Sequence, residues 1–309
     1  MDGLLVIDKP AGLTSHDVVA RVRKLLKIRR VGHTGTLDPF ATGVLLVCVG
    51  KATRLSQFLV GCSKSYDAVA RVGWATDTQD CTGKPITPVQ ASDELQYCSL
   101  KKVLDGFSGR QHQTPPMYSA KKVEGVALHK LARKNISIER KSVEIEITRL
   151  RLESDDWLVV HDDGTREFEF HVTCSAGTYV RTLAHDIGLV LGYGAHLTAL
   201  RRTAVGYFTL FNAQTLDSLA EVLEQGNLVS VLIPPVDMLP DMTRVDVEGD
   251  DAKRLINGQA VELEHEANSD QPVRIVFDNA LVGIARYDSV KRQLIPSVIL
   301  ADTMGTQAK

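Results

Sequence analysis

Short apolar runs and stretches of helical period follow one another along this chain and predict its elements. LLVI (4–7) reads as a strand and DKPAGLTS (8–15) as a loop, with Thr14 or Ser15 suited to cap a helix. Val18, Val19, Val22, Leu25 and Leu26 recur at helical spacing and carry that helix to about Lys27. IRRVGHTGTLDPFATG (28–43) holds too much Gly, Thr and Pro for a regular element and is expected to be a long loop. VLLVCVG (44–50) is apolar throughout, as a buried strand is, and a short helix is expected near 51–60. KSYDAVARVG (64–73) opens on polar–apolar alternation and predicts a strand, WATDTQDCTGKP (74–85) a turn-rich loop, and 93–106 a helix. GRQHQTPPMYSAKKVEG (109–125) is basic, carries a Pro pair and predicts an exposed excursion; 126–134 reads as helical. Val143, Ile145 and Ile147 alternate on one strand, and Phe168, Phe170, Val172 and Cys174 on another. YVRTLAHDIGLVLG (179–192) predicts a helix ending at a glycine, and 196–210 is partly strand. Residues 211–236 predict a helix and a connector ending in IPP. Beyond it lie short strands and turns with one helix near 250–257.

Strands and helices mix here without regular βα alternation, which predicts an α+β fold with a mainly antiparallel sheet. The change of pattern places a boundary near 235–240, giving a domain of residues 1–236 and a smaller one of 237–309. A length of 309 residues suits that division. The five cysteines are far apart and form no CxxC pair, so neither a disulfide framework nor a zinc knuckle is suggested; this usage fits a reducing cytosol. The N-terminal stretch lacks the basic and long apolar regions of a signal peptide, and no run approaches the roughly 18 apolar residues of a membrane span.

Net charge is −2, which argues mildly against a nucleic-acid partner until the charges are located. Residues 1–64 hold ten Lys/Arg against four Asp/Glu, and residues 101–151 twelve against five. Residues 153–169 hold one against seven, and 237–309 eight against thirteen. Two basic regions in a near-neutral protein can form a local positive surface, although solvated helix faces give the same count.

GHTGTLDPFATG (32–43) is the strongest local signal for chemistry. Its glycines permit close backbone approach to a ligand, and Pro39 restricts Asp38 to an extended or turn conformation. A carboxylate displayed on so stiff a backbone suits nucleophilic or acid/base work. Composition alone favours the simpler description, a turn in which Asp38 bonds nearby amides. His33 has no second ligand nearby, so no metal site is expected, and the glycines match neither phosphate-binding pattern. Tyr66 stands in a predicted strand close to Lys64, as filler, stacking platform or proton-transfer group. Arg181 falls at the start of a predicted helix, where the dipole disfavours it. It therefore calls for a carboxylate partner, with Asp38, Asp77 and Asp80 as candidates. Such a pairing would keep the carboxylate ionised at neutral pH.

Seven stretches together resemble the TruB family of tRNA pseudouridine synthases: GLLVIDKPAGLTSHDVV (3–19), VGHTGTLDPFATGVLLVCVGKATRL (31–55), KSYDA (64–68), TDTQDCTG (76–83), QTPPMYSAKKVEG (113–125), AGTYVRTLAHDIG (176–188) and GAHLTALRRT (194–203). They stand in the family's order across most of the first 205 residues. The resemblance implies a pseudouridine synthase fold, a mainly antiparallel sheet flanked by helices, with an RNA-clamping insertion at about 109–140. It implies that Asp38 is the nucleophile, that Tyr66 stacks on the target base, and that Arg181 pairs with the catalytic aspartate or a neighbouring acid such as Asp80. His33, Tyr179 and Leu200 are implied to line the uridine pocket or order the RNA loop. Lys9, Lys64, Lys121, Lys122, Arg201 and Arg202 are expected on the RNA side. One departure is His129, where many relatives carry tyrosine. Residues from about 237 resemble a small PUA-like RNA-binding module weakly, and their acidic balance is unlike a strong RNA binder.

The implied substrate is the T-arm of tRNA, at the T-loop uridine conventionally numbered 55. No cofactor, metal, membrane or obligate protein partner is implied, and a cytoplasmic monomer is expected. The rivals are a guide-RNA-dependent pseudouridylase and a tRNA-folding chaperone that binds the T-arm. A hydrolase built on Asp38 is weaker, because the sequence shows no second base.

Overall fold

The structure is a computed structural model. It describes the chain except for residues 120, 124, 133, 135, 137, 263–270 and 302–309, and the side chains of Lys122, Ala127 and His129. The first strands are β1 (Gly3–Lys9), β2 (Val31–His33), β3 (Thr42–Val49), β4 (Lys64–Val72) and β5 (Gly109–Gln113). A hairpin of β6 (Lys122–Val123) and β7 (Val126–Ala127) stands apart. Then come β8 (Val143–Leu152), β9 (Val159–Val160), β10 (Arg166–Cys174), β11 (Ala195–Val205) and β12 (Phe208–Thr209). The last group is β13 (Arg244–Asp246), β14 (Val261–Glu262), β15 (Pro272–Phe277), β16 (Ala280–Asp288) and β17 (Gln293–Ile299). The helices are α1 (Ser15–Leu26), α2 (Ser56–Val60), α3 (Tyr97–Asp105), α4 (Leu128–Ala132), α5 (Val180–Leu191), α6 (Leu216–Glu224) and α7 (Gly249–Ile256). None of the described helices is long and apolar enough to cross a membrane.

A ten-stranded sheet runs β1-β3-β11-β4-β10-β8-β5, with β2 on β3, β9 on β10 and β12 on β11. Its pairings are antiparallel except β3 with β11, which is parallel and joins Arg201 to Thr42 and Arg202 to Gly43. That short contact sets the start of β3, and the loop leading into it, beside Arg201 and Arg202. Gly43 is required there: its φ is +101°, and a Cβ would lie 2.2 Å from the Arg202 carbonyl oxygen.

The cores of β1 (4–7) and β3 (44–49) are unbroken apolar runs because both of their faces are buried. Leu5, Ile7, Leu45 and Val47 pack with Val18, Val19 and Val22 of α1 and Leu219 of α6. Leu4, Val6, Val44 and Leu46 face Met238, Val276, Leu281 and Ile284. The second face is therefore covered by the C-terminal sheet, ordered β13-β15-β16-β17-β14. β4 and β10 alternate strictly, turning Tyr66, Ala68, Ala70, Phe168 and Phe170 toward Val180, Leu183 and Ile187 of α5. This third core seats α5 under the sheet.

Thr14 caps α1 in a capping box with Asp17, and Lys27 closes it in the left-handed conformation at φ 54°. Two sequence expectations are corrected. The stretch 28–43 is not all loop, because Val31–His33 pairs with Val47–Val49 as β2. The stretch 109–125 is not wholly an excursion, because Gly109–Gln113 forms the edge strand β5 on Val143–Ile147 of β8. Its polar residues suit an edge strand with one solvated face.

Candidate active site

The loop carrying Asp38, between β2 and β3, is held from three elements. From the start of α1, the buried Ser15 hydroxyl accepts from the Leu37 N–H (2.9 Å) and donates to the Leu37 carbonyl (3.2 Å). From the end of β1, Lys9 Nζ donates to the carbonyls of Pro10 (2.9 Å), Leu13 (2.8 Å) and Pro39 (3.3 Å). The Pro39 carbonyl also accepts from the Gly12 N–H (2.8 Å). From β11, Arg202 donates to the carbonyls of Val44 (2.6 Å), Gly35 (3.1 Å) and Thr36 (3.4 Å). Each of these side chains satisfies loop carbonyls or amides that burial would otherwise leave unpaired.

Arg181, in the first turn of α5, is the hub. Its guanidinium grips Asp38 at both oxygens, Nε at 2.8 Å and Nη2 at 3.2 Å. Nη1 lies 3.4 Å from the Asp80 carboxylate and donates to the Thr78 carbonyl (2.6 Å); Nη2 also donates to the Tyr118 carbonyl (2.7 Å). The Arg181 side chain is 4% exposed and Asp80 5%, while Asp38 keeps 32% of its surface open. Asp80 is itself satisfied by the Thr78 hydroxyl (2.8 Å), the Thr82 N–H (2.9 Å) and the Thr82 hydroxyl (2.5 Å). Of the three candidate partners, Asp77 is therefore not one: it is engaged with the Lys84 N–H (2.8 Å). Burial pushes the Asp38 carboxyl above its ordinary value. Arg181 opposes this most strongly, and Asp80 adds to the upward push.

A cleft of about 270 Å³ opens over Asp38. Among the sequence-predicted residues, Asp38, Lys64, Tyr66, Tyr179, Arg181, Leu200 and Arg202 line it. Tyr66 is 7% exposed and stands across the sheet from Val172 and Arg202. Burial pushes its hydroxyl above the usual value and the Arg202 guanidinium pulls it back, so the phenol is neutral at pH 7. Lys64 Nζ is turned to the carbonyls of Val60 (3.1 Å) and Cys62 (2.6 Å).

Other predicted residues stand elsewhere. Lys9 has no exposed surface, so the expected RNA contact is corrected: it is a tie beneath the Asp38 loop. Burial draws its pKa down to about 8 against the pull of Asp38. Asp80 is likewise buried behind Arg181, and Arg202, though it borders the cleft, is 1% exposed and committed to loop carbonyls. Arg201 is on the surface in an ion pair with Asp8 (2.7 Å). His33 lies at the end of β2, outside the cleft, its ring edge-on to His16 at 5.2 Å. Burial lowers its pKa to about 4, so it is neutral at pH 7. Lys121 is half-buried on the insertion; the Lys122 and His129 side chains lie outside the described residues.

Sequence reasoning missed Ser15 as an anchor, because a helix-start serine normally bonds its own helix. It also missed the Thr78 and Tyr118 carbonyls, which carry no side-chain signal. Among the described residues, Asp67, Glu153 and His171 could bring donor atoms within 4.8 Å of one another. Both His171 nitrogens are engaged, Nδ1 with Asp67 (2.7 Å) and Nε2 with Thr173 (3.3 Å), and none of the three borders the cleft.

The chain matches the model of the TruB family pseudouridylate synthase N-terminal domain over residues 23–180, and that of the tRNA pseudouridylate synthase B C-terminal domain over 181–239. It is 46% identical over 294 residues to tRNA pseudouridine synthase B of Geobacter sulfurreducens, covering 92% of this chain and 93% of that protein. It is 42% identical over 262 residues to the Bacillus subtilis protein of the same name, covering 85% and 84%. Among solved structures, a Cbf5-Nop10-Gar1 complex matches with a TM-score of 0.71 at 26% identity, over 97% of this chain and 85% of that one. An H/ACA RNP bound to a substrate RNA containing 2'-deoxyuridine matches in fold with a TM-score of 0.71 at 23% identity, over 98% and 86%. With a carboxylate clamped by a buried arginine at the mouth of a cleft, and relatives matched over nearly its whole length, this chain belongs to the TruB family of pseudouridylate synthases.

Proposed function

We propose that this chain is a stand-alone tRNA pseudouridine synthase that isomerises the T-loop uridine at position 55, with Asp38 as nucleophile. The observation that carries this is the two-point grip of Arg181 on Asp38 at the edge of a cleft shared with Tyr66. The names of the relatives at 41–46% identity support tRNA as substrate and action without a guide.

In this isomerisation the bond from ribose to the ring nitrogen breaks and a bond from ribose to ring carbon forms. That carbon loses its proton and the nitrogen gains one. The balance contains no net oxidation, so the stoichiometry calls for no redox cofactor. Asp38 serves as its anion, attacking the sugar carbon or the ring, or assisting elimination to a glycal. Arg181 favours that anion and fixes its direction, which is the electrostatic preorganisation such a step needs. Tyr66 offers an aromatic surface, worth about 1–3 kcal/mol if the base stacks on it. That offsets the few kcal/mol of unstacking the uridine, a cost that is smaller in a loop than in a duplex. Residues 1–236 would form the catalytic domain, 237–309 a PUA-like module, and the basic stretch from 109 to 140 an RNA clamp. The protein would act as a cytoplasmic monomer.

The test is pseudouridine formation by purified wild type and Asp38→Asn on a synthetic unmodified tRNA transcript, without guide RNA. Turnover by the wild type and none by a folded, RNA-binding Asp38→Asn protein is expected. Absence of turnover by the wild type with binding intact would favour a guide-dependent enzyme or a binding-only factor. Turnover by Asp38→Asn would remove Asp38 as nucleophile.

A further inference from the structure

Arg181 can clamp Asp38 only if the first turn of α5 is held at the right distance from the β2–β3 loop, yet that turn has no cap of its own. Tyr179 is the N-cap residue, at φ −103° and ψ 106°, and its side chain makes no capping bond. The missing partner comes from another element. Gln113, the last residue of edge strand β5, is 3% exposed and places its side-chain amide flat against the Tyr179 main chain. Its Oε1 accepts from the Tyr179 N–H (2.8 Å) and its Nε2 donates to the Tyr179 carbonyl (3.0 Å). The same carbonyl accepts the first helical bond, from the Leu183 N–H (3.0 Å). One amide therefore fixes both the height and the rotation of the turn that projects Tyr179 and Arg181 into the cleft.

The segment following Gln113 then ties to the same turn a second time. Pro115 and Pro116 stiffen the path, and the Tyr118 carbonyl accepts from Arg181 Nη2 (2.7 Å). The backbone of Gln113 is held to Val143 in the sheet. The edge of the sheet, the root of the insertion and the catalytic ion pair are thus joined through one side chain.

We propose that Gln113 is a positioning residue for catalysis: its amide sets Arg181, and through it Asp38, in the reactive arrangement. This rests on Asp38 being the catalytic carboxylate. An amide, or a protonated carboxyl of the same length, can accept from the Tyr179 N–H and donate to its carbonyl at once. Gln113→Met keeps the length and apolar stem and makes neither bond. Gln113→Glu, when ionised, keeps the bond to the N–H but sets a buried negative charge against a carbonyl oxygen. When protonated it restores both bonds.

The experiment measures single-turnover pseudouridine formation with saturating enzyme on a tRNA transcript across pH, together with RNA affinity and melting temperature. Wild type and Asp38→Asn serve as references. Asp38 is faced by Arg181 of α5, Asp80 of the 73–96 loop, Lys9 of β1, and the hydroxyls of Tyr66 on β4 and Tyr179 at the start of α5. Displacing Arg181 weakens the strongest influence favouring the anion, so the acid limb of the rate profile moves up. Gln113→Met is expected to lose at least about tenfold in rate, to bind RNA within about twofold of wild type, and to show that upward move. Gln113→Glu is expected to recover toward the wild-type rate, measured at the same pH, as pH falls. Should Gln113→Met melt below the assay temperature, the pH-dependent recovery of Gln113→Glu decides. A folded Gln113→Met with wild-type rate and an unmoved acid limb would overturn the inference. So would a Gln113→Glu whose deficit is the same at every pH. An active wild type with inactive Asp38→Asn shows that any such failure concerns Gln113 alone; an active Asp38→Asn overturns the role of Asp38 and this inference with it.

Discussion

Arg181→Met is the perturbation whose consequences can be worked out furthest. The side chain is 4% exposed and satisfies the Asp38 and Asp80 carboxylates and the Thr78 and Tyr118 carbonyls. Methionine fills much of the volume and none of these acceptors. Removing one member of a buried charge network costs about 3–5 kcal/mol, because the remaining charges are left without compensation. In a chain of this size that corresponds to a fall of about 5–8 °C in melting temperature. Loss of one preorganised electrostatic partner adds a rate deficit of about 10²–10³-fold. Arg181→Lys keeps the charge but not the planar fork, and cannot serve Asp38 at both oxygens while reaching Asp80 and two carbonyls. It should recover part of the stability and little of the rate. The pH dependence has a definite sign. If Asp38 acts as its anion, as proposed, then because burial holds its pKa above the ordinary carboxylate value, activity falls as pH drops through that raised value. Without Arg181 the anion is less favoured and the acid limb moves higher still. The assay is single-turnover rate across pH, well below each variant's melting temperature. A folded Arg181→Met with wild-type melting, a rate within twofold and an unmoved acid limb would refute the hub assignment.

Gly43→Ala should destabilise the protein by at least about 1–3 kcal/mol from backbone strain alone, since φ is +101° and the added Cβ meets the Arg202 carbonyl; denaturant titration measures it. His33 has a folded pKa of about 4, below the 6.5 of an unfolded histidine, so the unfolded chain binds the proton first and stability falls as pH drops from about 6.5 toward 4. Melting curves of His33→Gln should show that loss reduced, by about 1–3 kcal/mol near pH 4. Lys121→Ala should weaken tRNA binding and flatten its salt dependence, by about one unit in the slope of log affinity against log salt; an unchanged slope removes Lys121 from the interface.

The two-faced burial of β1 and β3 was legible as unbroken apolar runs, and the alternation of β4 and β10 as strands with one face inward. The helix limits at Thr14 and Gly192 were legible because capping and left-handed closure are local. β2 and β5 were not legible: a three-residue strand and a polar edge strand exist only through their partners, β3 and β8. Asp38, Tyr66 and Arg181 could be raised as candidates from the residues that flank them, and the family resemblance supplied their implied roles. That Arg181 chooses Asp38 and Asp80 over Asp77, and that Lys9 lies beneath the loop with its charge spent on three carbonyls, follow from distances between segments remote in sequence. Periodicity and turn chemistry are properties of neighbouring residues, so the sequence alone determined most of the elements, β2 and β5 apart, and offered the candidate carboxylate. Burial, pairing and hydrogen-bond reach depend on which distant segments the sheet brings together. The partners of Asp38, the neutral state of His33 and the clamp of Gln113 on Tyr179 were therefore decided by the tertiary structure.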